Sequence, residues 1–267
     1  VVVSASQSWA RSVPVTSARA RTVCGTSREA FGRPRCGAAE PDPAPRYERK
    51  FRVDGGDRNL VELSLMRHPA MFRQVFHERE VHSIYFDTHD FRMYFNNIDG
   101  DAERDKIRVR WYGDRFGRHE AATLERKRKF GLVGTKDSFR IDPVDLHPGI
   151  DGHALVAALT ADNVPPMLRA MAPGLRAVVL ISYRRRYFLT TCGRFRATID
   201  DQLRFVRLEP GLCSCLQEAR DDGVILELKY GLNDDASAAQ IASMLPFRMT
   251  RNSKYVVAVD KLFTVRG

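Results

Sequence analysis

No stretch of this 267-residue chain stays apolar for the roughly 20 residues that a membrane-spanning helix requires. The sequence therefore offers no transmembrane segment of its own. Cysteine is scarce and odd in number: Cys24, Cys36, Cys192, Cys213 and Cys215 form no CxxC pair and no Cys/His cluster at zinc spacing. That argues against a disulfide framework or a structural zinc, and the thiols are expected to be free, as in a reducing, cytoplasmic compartment. No acidic residue precedes Glu29, and the first thirty residues lack the apolar core of a signal peptide. Residues 1–45 are Ser, Ala, Arg, Gly and Pro with scattered valines. They offer too little apolar surface to offset ordering entropy, so a disordered tail is expected. The same composition fits a transit segment, or one foreign to the native product.

What the chain has is positive charge and alternation. Lys and Arg number 43 against 33 Asp and Glu, giving +10 at pH 7, which favours a polyanionic partner such as nucleotide, polyphosphate, nucleic acid or an acidic membrane. Residues 46–53, 106–112, 124–129, 178–188, 194–200 and 224–230 alternate with period two and are expected as strands. Further strands are expected at 81–87 and 136–141. Helical spacing covers 59–79, with Pro69 at a first helical position, then 151–175, 237–245 and 252–263.

The strand faces carry the argument. Lys106, Arg108 and Arg110 share one face, with Ile107, Val109 and Trp111 on the other. Glu125, Lys127 and Lys129 oppose Leu124, Arg126 and Arg128, and Glu227 and Lys229 oppose Leu226 and Leu228. A solvated antiparallel sheet would also alternate. Here the polar face is biased to Arg and Lys, with carboxylates confined to positions such as Glu48, Glu125, Asp200 and Glu227. The opposite face is apolar, and helices are available to cover it. The pattern predicts an α+β fold built on an antiparallel β-barrel with a charged lumen, flanked by helices.

Buried like charges persist only with counter-charge. A lumen lined by Arg108, Arg110, Lys127 and Arg185 calls for a polyanion, because Arg forks match phosphate oxygens and Lys supplies a mobile point charge. Carboxylates in such a cage repel phosphate unless a divalent cation lies between, and hard oxygen ligands suit Mg²⁺ or Mn²⁺. That is the chemistry of a triphosphate site. The glycines of 131–138 superficially suggest a P-loop, but their spacing is wrong and they join two strands.

Eight segments, in order, resemble a known family: Arg46-Tyr-Glu-Arg-Lys-Phe, Ser83-Ile-Tyr-Phe-Asp-Thr, Lys106-Ile-Arg-Val-Arg-Trp-Tyr-Gly, Leu124-Glu-Arg-Lys, Ser182-Tyr-Arg-Arg, Ala197-Thr-Ile-Asp, Leu226-Glu-Leu-Lys-Tyr and Asn252-Ser-Lys-Tyr. They look like the VTC domain, the catalytic module of vacuolar transporter chaperone polyphosphate polymerases, within the CYTH-like triphosphate tunnel metalloenzymes. The resemblance covers about residues 46–264. It implies that Lys50, Arg108, Arg110, Lys127, Arg185 and Lys254 are the catalytic, phosphate-binding cations of a tunnel wall. Lys136 and Arg251 would add to them, with Arg251 standing where some relatives have Lys. Tyr183 and Ser253 would hydrogen-bond phosphate oxygens. Glu227 would be the main metal carboxylate, with Glu48 and Glu125 in support, for Mn²⁺ or Mg²⁺.

The implied ligands are ATP and inorganic polyphosphate, with no nucleic acid, and some family members act with membrane-protein partners. The expected reaction moves the γ-phosphoryl of ATP to a polyphosphate end. Two alternatives stand beside it: a triphosphatase using water, and a non-catalytic polyphosphate- or nucleic-acid-binding module. Arg126, Arg128, Arg184 and Arg186 fall on the opposite faces and are expected outside, ion-paired or solvated. His77, His82 and His89 lack ligand spacing and are expected in local structural roles.

Overall fold

The computed structural model describes residues 45–264, apart from 56, 132, 149, 151 and 209–216. Except for Pro45, the expected tail over 1–45 lies outside the described residues. So do all cysteines but Cys192, which is an exposed free thiol.

The chain runs β1 (Arg46–Val53), α1 (Arg58–Met66), β2 (Phe72–Thr88), α2 (Arg92–Ile98), β3 (Glu103–Tyr112), β4 (Gly117–His119), β5 (Thr123–Phe130), β6 (Val133–Arg140) and β7 (Val144–Leu146). There follow α3 (Gly152–Ala157), α4 (Pro166–Met171), β8 (Leu175–Thr190), β9 (Arg196–Arg207), β10 (Glu218–Asp221), β11 (Val224–Gly231), α5 (Asp235–Ser243) and α6 (Lys254–Leu262). Nine strands form one antiparallel sheet in the order β10-β9-β11-β1-β6-β5-β3-β2-β8. A β8–β9 pairing from Val179↔Arg207 to Leu189↔Arg196 closes it into a ring. Along its other edge β9 pairs with β11 and, farther on, with β10. The closed circuit thus holds eight strands plus β10, and β4 and β7 form a separate ribbon. A barrel of eight strands has an interior just wide enough for side chains or one small ligand.

One seam is thin. Among the described residues β1 pairs with β6 only at Arg46↔Gly134, while its other edge pairs with β11 along its whole length. Nearer the far end of β1, the stretch before α6 covers the gap. Met249 bridges Phe51, and the Thr250 N–H donates to the Lys50 carbonyl at 2.8 Å.

Alternation sorts residues between three apolar clusters. Outside, Ile107, Val109, Trp111 and Leu124 pack with Leu155, Leu159 and Leu168 from the α3–α4 region. Phe51, Ile199, Leu226 and Leu228 pack beneath α1 and α5 through Val61, Leu65, Ala238 and Ile241. The third cluster lies on the inner face. Val81, Tyr85, Ile181, Tyr183, Phe205 and Ile225 meet Tyr255, Ala258 and Val259 of α6. That helix therefore fills one end of the barrel and leaves the rest of the interior to charge.

The helix expected over 59–79 is a correction. Only α1 forms; His68 to Met71 turn the chain, with Met71 at φ 55°, and β2 begins at Phe72. Met71, Phe72, Val75 and Phe76 mimic helical spacing because β2 pairs irregularly here, with register shifts between Gln74 and Phe76 and between Phe76 and Arg79. Each such irregularity breaks the period-two pattern.

Candidate functional site

Strand register decides which charged side chains meet. Across β3, β5 and β6 one row reads Lys106–Lys127–Lys136, and the next inward row reads Arg108–Glu125–Ser138. On the opposite wall Arg185 stands across from Asp200, Glu227 from Thr198, and Lys50 from Glu227. Lys254, at the start of α6, enters from the filled end and is itself buried.

Three carboxylate centres organise these cations. Asp200 is fully buried and accepts from Arg185 Nε at 2.5 Å, Arg185 Nη2 at 2.6 Å and Lys254 Nζ at 2.5 Å. Burial alone would raise its carboxyl, but Arg185 and Lys254 outweigh that and hold it below the usual range. Glu227 faces Lys50 at 3.3 Å, Lys229 at 3.2 Å, Arg185 at 3.5 Å and Lys254 at 3.6 Å. Burial again opposes ionisation, and Lys50, followed by Lys229, Lys254 and Arg185, holds this carboxyl well below its ordinary value. Glu48 joins the same group: Lys50 Nζ lies 2.7 Å from it and Lys127 Nζ 3.1 Å. Glu125 forms a separate centre, accepting from Arg108 Nη2 at 2.6 Å and Lys136 Nζ at 2.9 Å, with Arg110 at 3.8 Å.

Tyrosine hydroxyls tie the arginines to the wall. Arg110 Nη2 donates to Tyr183 at 3.0 Å, and Arg108 Nη1 donates to Tyr85 at 2.7 Å. Lys106 is the exception among these cations. Its Nζ donates to Ser253 Oγ at 2.8 Å, and among the described residues no carboxylate lies within ion-pairing distance. Burial first, then repulsion by Lys50 and Lys127, pushes its ammonium well below the usual lysine range.

The donor set can accommodate a divalent cation. Among the described residues no three His, Cys, Asp or Glu stand together as a metal cluster. Glu48 and Glu227 nevertheless share one ammonium, that of Lys50, so their oxygens converge on one region. Thr198, opposite Glu227, is buried, and among the described residues its Oγ1 has no hydrogen-bond partner. An orphaned buried hydroxyl across from the Glu227 carboxylate fits a site completed by something absent from the protein alone. One or two carboxylates plus substrate phosphates is how Mg²⁺ is commonly held.

The structure thus brings together Lys50, Arg185, Lys254, Glu48 and Glu227 on one side, and Arg108, Arg110, Lys136 and Glu125 on the other. Lys127 links the two, reaching Glu48 from the lysine row. Ser253 contacts Lys106 and caps α6, Tyr183 contacts Arg110, and Arg251 is exposed on the stretch before α6. The faces expected outside are outside. Arg126 pairs with Asp105, Arg128 with Asp137, Arg184 with Glu78 and Glu80, and Arg186 with Glu62 and Glu78. His82 is buried between Ser182 Oγ and the Gly113 carbonyl, both at 2.8 Å, and is stacked on Trp111. Sequence reasoning left Asp200, Lys106, Lys229 and Thr198 out of the site, although strand phase put all four on the inward face.

The model of the VTC domain family matches residues 45–263. No curated protein sequence matches the chain. Solved structures align with it at low identity. One, from Hippeastrum, belongs to a protein described as having a dominant triphosphatase activity; it is 11% identical with a TM-score of 0.48, over 82% of this chain and 97% of that one. A protein from Pyrococcus horikoshii OT3 is 14% identical with a TM-score of 0.41, over 80% and 96% respectively. One from Vibrio parahaemolyticus, assigned to the adenylate cyclases, is 12% identical with a TM-score of 0.43, over 79% and 98%.

Proposed function

This chain belongs to the VTC domain family, and from that premise we propose that it transfers the γ-phosphoryl of ATP to the end of a polyphosphate chain, releasing ADP. The observation that carries the reading is the convergence of Lys50, Arg108, Arg110, Arg185 and Lys254 in one lumen around Glu227, Glu125 and Asp200. Phosphoryl transfer is catalysed mainly by alignment and charge neutralisation. Arginine forks held by Tyr85, Tyr183 and Asp200 are fixed in direction before substrate arrives, so little reorganisation remains for the reaction itself. Glu227 and Glu48 would hold a Mn²⁺ or Mg²⁺ ion, which when bound offsets charge on the transferred group.

The acceptor favoured by the site is phosphate rather than water. A water nucleophile needs a general base with a pKa near the working pH. Glu48 and Glu227 are both held well below the ordinary carboxylate range by the lysines around them. Both are engaged as anions with lysines, whereas a terminal phosphate is already an anionic nucleophile and calls on no base.

Incubation with ATP and Mn²⁺, followed by a gel that resolves polyphosphate, tests the reading. Chains accompanied by ADP are the expected product. Orthophosphate alone would instead assign a triphosphatase, and tight polyphosphate or RNA binding without turnover would assign a binding module.

A further inference from the structure

Voids in a native interior are few and small, because unfilled space forfeits dispersion contacts along its walls. This chain keeps a void of about 230 Å³ in the outer cluster, on the side of the strands away from the charged lumen. An apolar cavity of about 150 Å³ already admits benzene. Register builds the floor. Ile84 on β2, Leu180 on β8 and Val206 on β9 stand side by side in one row, and Trp111 on β3 lies in the row beyond, opposite His82. The roof comes from outside the barrel: Phe116 follows β3, Leu146 ends β7, and Ile150 precedes α3.

The polar lining among the described residues is Arg115, Glu218 and the exposed His147. Arg115 reaches Glu218 through Nη1 at 3.4 Å, and its buried Nε has no hydrogen-bond partner among the described residues. Glu218 also meets Arg220 at 3.5 Å. Two guanidiniums therefore share one carboxylate, and the one that lines the void keeps an unmet donor. An unmet buried donor is costly and marks a place where an acceptor belongs.

We propose that this void binds an apolar monocarboxylate, a fatty acid of medium chain length, with its chain on the Ile84–Leu180–Val206 floor and its carboxylate on Arg115. The head chemistry is already present, since the Glu218 carboxylate occupies the same guanidinium. A ligand carboxylate takes Arg115 through Nε and a terminal nitrogen, the two-point geometry that the fork favours, while Glu218 retains Arg220. Burial of the chain removes apolar surface from water and opens no new space in a packed core. An uncharged or cationic amphiphile gains the same burial but leaves the Arg115 donor without a charged acceptor. The site lies on the outer face of the strands and stands or falls apart from the transfer reading.

The test titrates sodium decanoate, below its micelle concentration, into the whole chain by calorimetry, with 1-decanol and decyltrimethylammonium run alongside. Saturable one-to-one binding of decanoate is expected, with the other two at least tenfold weaker. Trp111 lines the void, so in a Trp9→Phe background its emission should shift over the same decanoate range. Arg115→Gln should weaken decanoate at least tenfold and change decanol less than twofold. Val206→Phe fills the void, so decanoate binding should disappear while the melting temperature holds or rises. Ile150→Phe, at the roof, serves if Val206→Phe melts early. Absence of saturable decanoate binding overturns the proposal. So does binding that persists unchanged in the filled variants, which would assign uptake on the protein surface. Decanol bound as tightly as decanoate also overturns it, leaving an apolar void with no anion site.

Discussion

Asp200 on β9 and Arg185 on β8 face each other in register and join through two hydrogen bonds, at 2.5 and 2.6 Å, with the carboxylate fully buried. Lys254 closes on the same carboxylate. Two cations proposed to bind phosphate are therefore aimed by a buried acid that cannot itself reach solvent. The pair fixes the direction of the guanidinium and leaves Arg185 Nη1 free of Asp200 contacts.

Removing that acid leaves two enclosed cations uncompensated. Asp200→Asn should cost about 3–5 kcal/mol, the usual penalty for breaking a buried ion pair from one side. Thermal or urea unfolding at neutral pH measures it. A loss below about 1 kcal/mol would mean that solvent already screens the pair.

The same carboxylate sets an acid limit. Its folded pKa is lowered, so its contribution is complete above its unfolded pKa of about 4. The contribution is lost as pH falls through the lower native value. Melting temperatures from pH 7 downward should drop mainly below pH 4 in the wild type. Asp200→Asn should start lower and fall less steeply over that acid range.

Strand phase was the legible part of this protein. Period-two alternation placed Lys50, Arg108, Arg110, Glu125, Arg185 and Glu227 inward and Arg126 and Arg128 outward, because a strand gives no third choice. Pairing was not legible. Nothing local in 178–207 announces that β8 and β9 close the ring. Without that closure Asp200 cannot be matched to Arg185, and the Lys106–Lys127–Lys136 row depends on the same kind of long-range register. The position of α6 against the inner face is likewise a tertiary fact, although its apolar spacing was readable. The expectation of helix over 59–79, with Pro69 at a first helical position, failed after α1 where irregular pairing disguised a strand.

Two arginines on neighbouring strands test the faces directly. Arg110 is buried and bound to Tyr183 and Ser83, whereas Arg128 pairs with Asp137 outside. Arg110→Ala should lower kcat/KM by about a hundredfold or more, in line with loss of one aimed donor. Arg128→Ala should change stability by no more than about 1 kcal/mol and leave turnover within twofold. Equal effects of the two would put the inner face on the wrong side.

Glu227→Gln keeps shape and removes charge. Activity should fall by about a hundredfold or more, and turnover should no longer respond to Mn²⁺ over the range that saturates the wild type. A titration of rate against Mn²⁺ reads this. An unchanged metal profile would move the ion to Glu125, held by Arg108 and Lys136 on the other wall.

Asp87 holds α6 at its depth in the barrel through Tyr255. Asp87, at the end of β2, is fully buried and accepts the Met93 and Tyr94 backbone N–H groups at 2.8 and 2.9 Å. It also accepts the Tyr255 hydroxyl at 2.6 Å, and Tyr255 stacks on Tyr85, which takes a hydrogen bond from Arg108. Tyr255 follows Lys254 in sequence, so this one bond pins the helix that carries Lys254 to the strand beside the arginines. Tyr255→Phe removes only the hydroxyl and leaves a buried carboxylate one donor short, a cost of about 1–3 kcal/mol. The variant should melt earlier and bind ATP more weakly, because Lys254 loses its fixed height against Asp200. If the melting temperature falls while the KM for ATP stays within twofold, Asp87 stabilises the barrel without setting the position of Lys254.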